Sequence, residues 1–220
     1  MELKDNVKKN TENGNWFENI RPLIDSYINE KIIPSKYIQQ LKEGSLDKKV
    51  FGKYTSQDIL YCLKFGESLI YTAAKSKVKE HEEFFERGGR KSIEKYPFDL
   101  EKNLKRFNLE KETKMNDVCE KYSTHEWNSV HKSYGVGIAS LISCYYVYNM
   151  VDIYLWKYAN KTSDYSFMFY EIYDIKNSTK TIINIANSVA KKNPEKVREM
   201  NEALTLGVKY ELEFWNSAFE

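Results

Sequence analysis

Glycine and proline are scarce in this 220-residue chain, 9 and 4 respectively, and between Ile138 and Leu206 there is no glycine and one proline, Pro194. A strand-and-turn fold needs these residues at its many reversals, so their scarcity points to long helices and an all-α architecture. A charge excess of one sign is also missing: 34 Lys+Arg against 32 Asp+Glu leave a net charge of +2. Such a surface has no large field to draw in nucleic acid or an anionic membrane, and neither is expected as a partner. Cysteine is limited to Cys62, Cys119 and Cys144, an odd number without metal-ligand spacing, from which neither a disulfide framework nor a zinc site follows and which suits a reducing cytoplasm. His81, His125 and His131 are not spaced as metal ligands, and no carboxylate cluster suggests a metal pair. Glycine-rich phosphate loops and the G-x-S-x-G nucleophile motif do not occur. Residues 1–14 lack the apolar core of a secretory signal and read as a solvated tail before a single domain over 15–220. The longest uncharged stretch, Ser133 to Val151, carries Ser140, Ser143, Asn149 and four tyrosines, which fits a buried helix better than a membrane span.

Aromatic residues are abundant, with 17 Tyr, 11 Phe and 4 Trp in a chain that is 41% hydrophobic. A buried tyrosine needs a partner for its hydroxyl, so the excess of tyrosine predicts a polar, aromatic-lined interior. Helical periodicity appears three times. From Thr55 to about Lys77 the series is Ile59, Leu63, Leu69, Ile70, Ala73 and Ala74. The second runs Ile138, Leu141, Tyr145, Tyr148, Val151 and Leu155, and the third Val197, Met200, Leu204, Val208 and Trp215. Between Lys75 and Lys121, mixed charge with Gly88-Gly89 and Pro97 predicts shorter surface helices and connections.

Candidate chemistry lies on these helices. Glu211 falls on the seam of Leu204, Val208 and Trp215, whereas Glu213 is turned away by about 200°. A carboxyl group among apolar side chains loses hydration, its pKa rises, and it becomes a proton donor near neutral pH. At the edge of the seam the same residue would simply reach solvent or an arginine. Cys144 shares a stripe with Leu141, Tyr148, Val151 and Leu155, as an inert small hydrophobe or as a nucleophile among tyrosines; spacing alone leaves both open. Asp58 and Tyr61, with Phe65 one turn further, share a helix face that can bind a flat heterocycle bearing an amino group, although an aspartate in a first turn also serves the helix dipole.

Five segments in order resemble the TenA, or thiaminase II, family of aminopyrimidine hydrolases, over about Lys36 to Phe219. L-K-E-G-S-L-D-K-K-V-F-G-K-Y-T-S-Q-D-I-L-Y at 41–61 is similar to a family helix entry ending in Q-D-x-x-Y, and Y-S-T-H-E-W at 122–127 to Y-T-x-H-x-Y. L-I-S-C-Y-Y-V-Y at 141–148 resembles L-P-C-x-W-x-Y, F-Y-E-I-Y at 169–173 resembles W-I-x-x-Y, and Y-E-L-E-F-W-N-S-A-F at 210–219 resembles the terminal E-x-x-F-W-x-x-A. Ser35-Lys36-Tyr37 stands where the family has His-Pro-Phe, and Ser143 where it has proline.

The resemblance implies a heme-oxygenase-like helical bundle with Cys144 as nucleophile and Glu211 as catalytic acid. It further implies that Asp58 and Tyr61 hold the pyrimidine's amino group and ring nitrogen, with Tyr122, Tyr148 and Tyr173 lining the pocket. The implied activity is hydrolysis of 4-amino-5-aminomethyl-2-methylpyrimidine to the hydroxymethyl compound and ammonia, with thiamin cleavage as a side reaction. No cofactor or metal is implied, and the expected assembly is a homotetramer. One rival on the same fold, heme binding, needs a proximal histidine on an early helix, and the first histidine is His81. The other is a non-catalytic aminopyrimidine- or thiamin-binding, or regulatory, protein.

Overall fold

The computed structural model describes residues 15–169 and 173–220, with the backbone alone at positions 173 and 174. Among these residues all regular structure is helical: α1 (Trp16–Tyr27), α2 (Lys36–Glu43), α3 (Lys48–Lys75), α4 (Lys79–Arg90), α5 (Tyr96–Arg106), α6 (Asp117–Lys132), α7 (Tyr134–Tyr158), α8 (Tyr173–Lys192) and α9 (Val197–Ser217). The 1–14 tail lies outside the described residues.

α7 forms the centre, packed against α6, α8 and α9, and α3 lies beside it, backed by α4, α5 and α6. The apolar surface of α7 runs round its circumference rather than along one stripe, and Ile138, Ala139, Leu141, Ile142 and Val147 are all fully buried. A helix apolar on every side belongs inside a bundle. α7 is long and apolar enough to cross a membrane, yet two thirds of that segment is covered by the rest of the chain. Close packing against α9 depends on Gly207, where a Cβ would lie 2.3 Å from Ser143 Oγ.

Two helices begin earlier than their apolar periods indicate. α3 starts at Lys48, where Asp47 accepts from Lys49 N at 2.7 Å, and α7 starts at Tyr134, capped by Ser133. A capping side chain satisfies otherwise orphaned amide groups and so fixes where a helix starts, independently of the apolar pattern. Asp58 is therefore a mid-helix residue, which removes the first-turn explanation for it.

The expectation for 75–121 needs a larger correction. Gly88-Gly89 does not interrupt a helix but lies inside α4, and Phe84 and Phe85 are buried. A Cβ on Gly89 would lie 2.9 Å from Gly66 O of α3, so this glycine permits helix contact rather than a turn.

Polar bonds fix α3, α6 and α9 relative to one another. Buried Gln57 donates to Glu112 Oε2 at 2.8 Å and to Lys114 O at 3.0 Å, and accepts from Asn116 N at 2.9 Å. Asn116 in turn caps α6 by accepting from Cys119 N at 2.8 Å, and its amide donates to Ser217 Oγ, in the last turn of α9, at 3.1 Å. Asn116→Ala removes the cap and the link to α9, and is expected to cost about 1–2 kcal/mol, read as a lower urea midpoint at unchanged slope.

Candidate active site

Four helices deliver polar groups to one buried region. α3 supplies Tyr54, Asp58 and Tyr61, α6 supplies Tyr122 and Glu126, α7 supplies Ser143, Cys144 and Tyr148, and α9 supplies Glu211. Phe65, Tyr61, Tyr122 and Tyr210 form a column of stacked rings, with successive centroids 5.5, 4.9 and 5.5 Å apart and planes within 23°. Offset stacking of this kind holds each ring in one orientation and so aims its hydroxyl.

Glu211 is 2% exposed, whereas Glu213 faces solvent. The tyrosine at position 122 bonds Glu211 Oε1 at 2.7 Å and Ser143 Oγ at 2.9 Å, and Ser143 donates to Ser140 O at 2.6 Å. Tyr122 donates its proton to Glu211 Oε1, which favours the charged form of that carboxyl against its burial. Burial pushes its pKa up to about 8, Tyr122 opposing and Asp58 adding to the rise. Ser143, where the resembling family has proline, closes this chain of bonds.

Asp58 is 9% exposed, and burial raises its pKa to about 7. Its nearest bonding partner is weak, the Cys62 thiol at 4.0 Å from Oδ1, so its carboxyl retains capacity for a ligand. Tyr148 and Tyr54 share a short hydroxyl–hydroxyl bond, and Tyr148 packs on Trp215 with centroids 5.7 Å apart. Cys144 is partly exposed, and its thiol is pushed well up by burial and by the nearby Glu211 and Glu126, while hydrogen bonding to Tyr61 acts in the opposite direction. Tyr37, in the segment replacing His-Pro-Phe, is buried against Tyr54 at 4.7 Å between centroids. The expected pocket phenol Tyr173 has a side chain outside the described residues.

Asp58, Tyr61, Tyr122, Cys144, Tyr148 and Glu211, named from the sequence, therefore converge, and three further groups join them. Tyr54 precedes the apolar period by which α3 was read. Ser143 was marked as a polar residue of the uncharged stretch and as a departure from a motif, but not as a site residue. Glu126 was not marked at all, although it is fully buried and accepts from the Tyr61 hydroxyl at 2.8 Å. The one signal for it is its spacing of four from Tyr122, which puts both on one face. Among the described residues no group of three or more His, Cys, Asp or Glu is arranged to hold a metal ion. A surface depression of about 410 Å³ along Glu83–Lys95 is lined by charged side chains and contains none of the convergent groups.

Residues 17–220 match the TENA/THI-4/PQQC family. The chain belongs to that family. Solved structures share its fold at low identity. The TenA homologue from P. horikoshii OT3 superposes with a TM-score of 0.80 at 19% identity, covering 93% of this chain and 98% of its own. A TenA family transcription regulator from Silicibacter sp. TM1040 gives 0.78 at 13%, covering 92% and 94%. A protein named as a TenA-like thiaminase from Sulfolobus solfataricus P2 gives 0.70 at 15%, covering 93% and 94%. No match is found among curated proteins. Family membership accounts for the TenA resemblance of the five sequence segments and for the helical fold, while the convergence of acids, phenols and thiol is a property of this chain's own packing.

The raised carboxyl pKa values fix a pH dependence of stability. Asp58 and Glu211 hold protons in the folded protein that they release above about pH 4 when unfolded. Their contribution to stability is therefore complete at low pH and is lost as pH rises through about 7 and 8. Urea unfolding should show stability falling from pH 5 to pH 8, and Glu211→Gln should make that fall shallower by up to about 1.4 kcal/mol per pH unit.

Proposed function

We propose that the protein is an aminopyrimidine aminohydrolase that converts 4-amino-5-aminomethyl-2-methylpyrimidine to its hydroxymethyl counterpart and ammonia, with thiamin cleavage as a slower activity. The observation that carries this reading is the buried acid Glu211, bonded at 2.7 Å to Tyr122, whose ring stacks at 4.9 Å on Tyr61, on the same helix as the buried Asp58.

In this mechanism the Asp58 carboxylate accepts from the exocyclic amine and from the protonated ring nitrogen, with Tyr61 beside it. The Cys144 sulfur bonds to the electron-poor ring carbon next to the aminomethyl group, and the ring nitrogen takes up the proton that balances the addition. Glu211 gives its proton to the departing amine, which leaves as ammonia. Water then adds to the exocyclic alkene, its oxygen bonding the methylene carbon while a proton returns to Glu211. Breaking the carbon–sulfur bond restores the aromatic ring. Each step needs only groups of this cluster, the substrate and water. Tyr122 and Tyr148 are read as pocket walls, and Tyr173 keeps that role by family resemblance alone. The free state of the described cysteines supports a cytoplasmic setting.

Ammonia release from the aminomethyl compound, compared with thiamin cleavage, tests the reading directly. Release is expected to be the faster reaction; faster thiamin cleavage would reverse the assignment. Binding of the aminopyrimidine without turnover would favour the regulatory alternative, to which the name of the Silicibacter structure lends support. Glu211→Gln should lower kcat by roughly 100-fold or more, whereas Glu213→Gln should match the unmodified protein, with circular dichroism checking the fold of both. Cys144→Ser should fold and lose at least about 100-fold in activity.

The same reading includes a homotetramer. Light scattering should give about four times the 26.0 kDa chain mass, and a 26 kDa particle would exclude the tetramer.

A further inference from the structure

Glu126 is a buried acid that the mechanism above leaves without a task. It is fully enclosed on α6, its Oε1 accepts from the Tyr61 hydroxyl at 2.8 Å, and its Oε2 has no hydrogen-bond partner. An ionised carboxylate with one bare oxygen in such a place would forfeit the hydration of a full charge. A neutral acid with its proton on Oε2 avoids that loss and keeps Oε1 as a carbonyl acceptor, which is what the bond from Tyr61 requires. Burial raises the Glu126 pKa well above the carboxylate range, with Tyr61 opposing the rise and Glu211 adding to it.

This bond fixes what Tyr61 can offer a ligand. A phenol has one proton to give and lone pairs with which to accept. With its proton spent on Glu126, the Tyr61 oxygen presents only lone pairs to anything else that meets it. The oxygen is also held in place, since Tyr61 is 3% exposed and its ring is stacked between Phe65 at 5.5 Å and Tyr122 at 4.9 Å. Asp58 stands three residues earlier on the same face of α3, and its carboxylate is likewise an acceptor. Two acceptors side by side match a group with two N–H bonds, such as an amine on an aromatic ring. An oxo oxygen at the same ring position would set lone pairs against lone pairs and leave buried polar groups unpaired, which is the strongest kind of discrimination a site can build against a ligand of similar size.

We propose that Glu126 is a positioning residue that sets ligand specificity: by taking the Tyr61 proton it makes the phenol an acceptor, so that Tyr61 and Asp58 together select an amino-substituted heterocycle over its oxo counterpart. An acid on α6 thereby governs recognition by two residues of α3. The proposal rests on the preceding reading in placing the pyrimidine's amino group at Asp58 and Tyr61, but its test needs no turnover.

The experiment is calorimetric titration of the full chain with 4-amino-2,5-dimethylpyrimidine and with 2,5-dimethylpyrimidin-4(3H)-one, neither of which carries a leaving group. The unmodified protein should bind the amino compound at least about 100-fold more tightly. Glu126→Leu frees the Tyr61 proton for a ligand oxygen and should tighten binding of the oxo compound about 10-fold. Glu126→Gln keeps a carbonyl acceptor in the place of Oε1 and should leave the preference within about 3-fold of that of the unmodified protein. Tyr61→Phe should weaken the amino compound about 10-fold without tightening the oxo compound, and adding Glu126→Leu to Tyr61→Phe should not tighten it either. A gain in oxo binding that requires Tyr61 is a change that mere loosening of the structure does not produce. Thermal unfolding checks that each variant is folded. If Glu126→Leu does not fold, the contrast between Glu126→Gln and Tyr61→Phe decides the matter. An unmodified preference in Glu126→Leu or in Tyr61→Phe would overturn the proposal, as would Glu126→Gln losing the preference as far as Tyr61→Phe does. A protein that shows the expected preferences but releases no ammonia fails the aminohydrolase reading alone; one that releases ammonia with a preference indifferent to Glu126 fails this proposal alone; and one that binds neither compound fails both.

Discussion

Three carboxyl groups enclosed in one interior cannot all be charged. Asp58, Glu126 and Glu211 are each buried, and the repulsion between Glu211 and the other two adds to the loss of hydration. Protonation of Glu211 and Glu126 relieves both costs at once and leaves Asp58 as the carboxylate of the group. The surrounding phenols tie the acids to neighbouring helices: Tyr122 donates to Glu211, and Tyr61 donates to Glu126. The excess of tyrosine in the composition thereby acquires a physical reason, since phenols are the side chains that can pack like phenylalanine while passing a hydrogen bond between helices.

Much of this was legible in the sequence where a residue sits on an otherwise apolar helix face. Glu211 interrupts the Leu204, Val208, Trp215 seam, so its burial and its contrast with Glu213 follow from helical phase. Cys144 follows in the same way from its place among Leu141, Val151 and Leu155. Glu126 is different. The inward face of α6 includes Cys119, Tyr122, Ser123, Glu126 and Ser129, which is too polar to register as hydrophobic periodicity. Its burial is imposed by α3, α7 and α9 closing over it, a property of assembly rather than of the local pattern. Helix starts were misjudged for a related reason, because caps such as Asp47 and Ser133 act through hydrogen bonds that an apolar count does not see. Gly89 misled in the opposite sense, since a glycine that permits two helices to touch is indistinguishable from a turn former until its neighbour on α3 is known.

The fold positions the site through few, specific polar links. The Gln57–Asn116–Ser217 bonds hold α3, α6 and α9 at one end of the cluster, and the contact of Gly207 with Ser143 sets the depth at which α9 meets α7. Both acid–phenol pairs cross helix boundaries, so their geometry is only as good as this framework. Phenol–carboxyl bonds of 2.7 and 2.8 Å indicate that the framework brings the pairs into register without leaving slack.

α6 contributes one member to each pair, an acid facing α3 and a phenol facing α9, one helical turn apart. A heritable change on α3 or α9 can therefore disable one pair and leave the other to be reworked, so those helices can drift through single steps. A change that rotates α6 disables both together. Divergence of this site into a new chemistry is thus easier through its flanking helices than through the short helix between them.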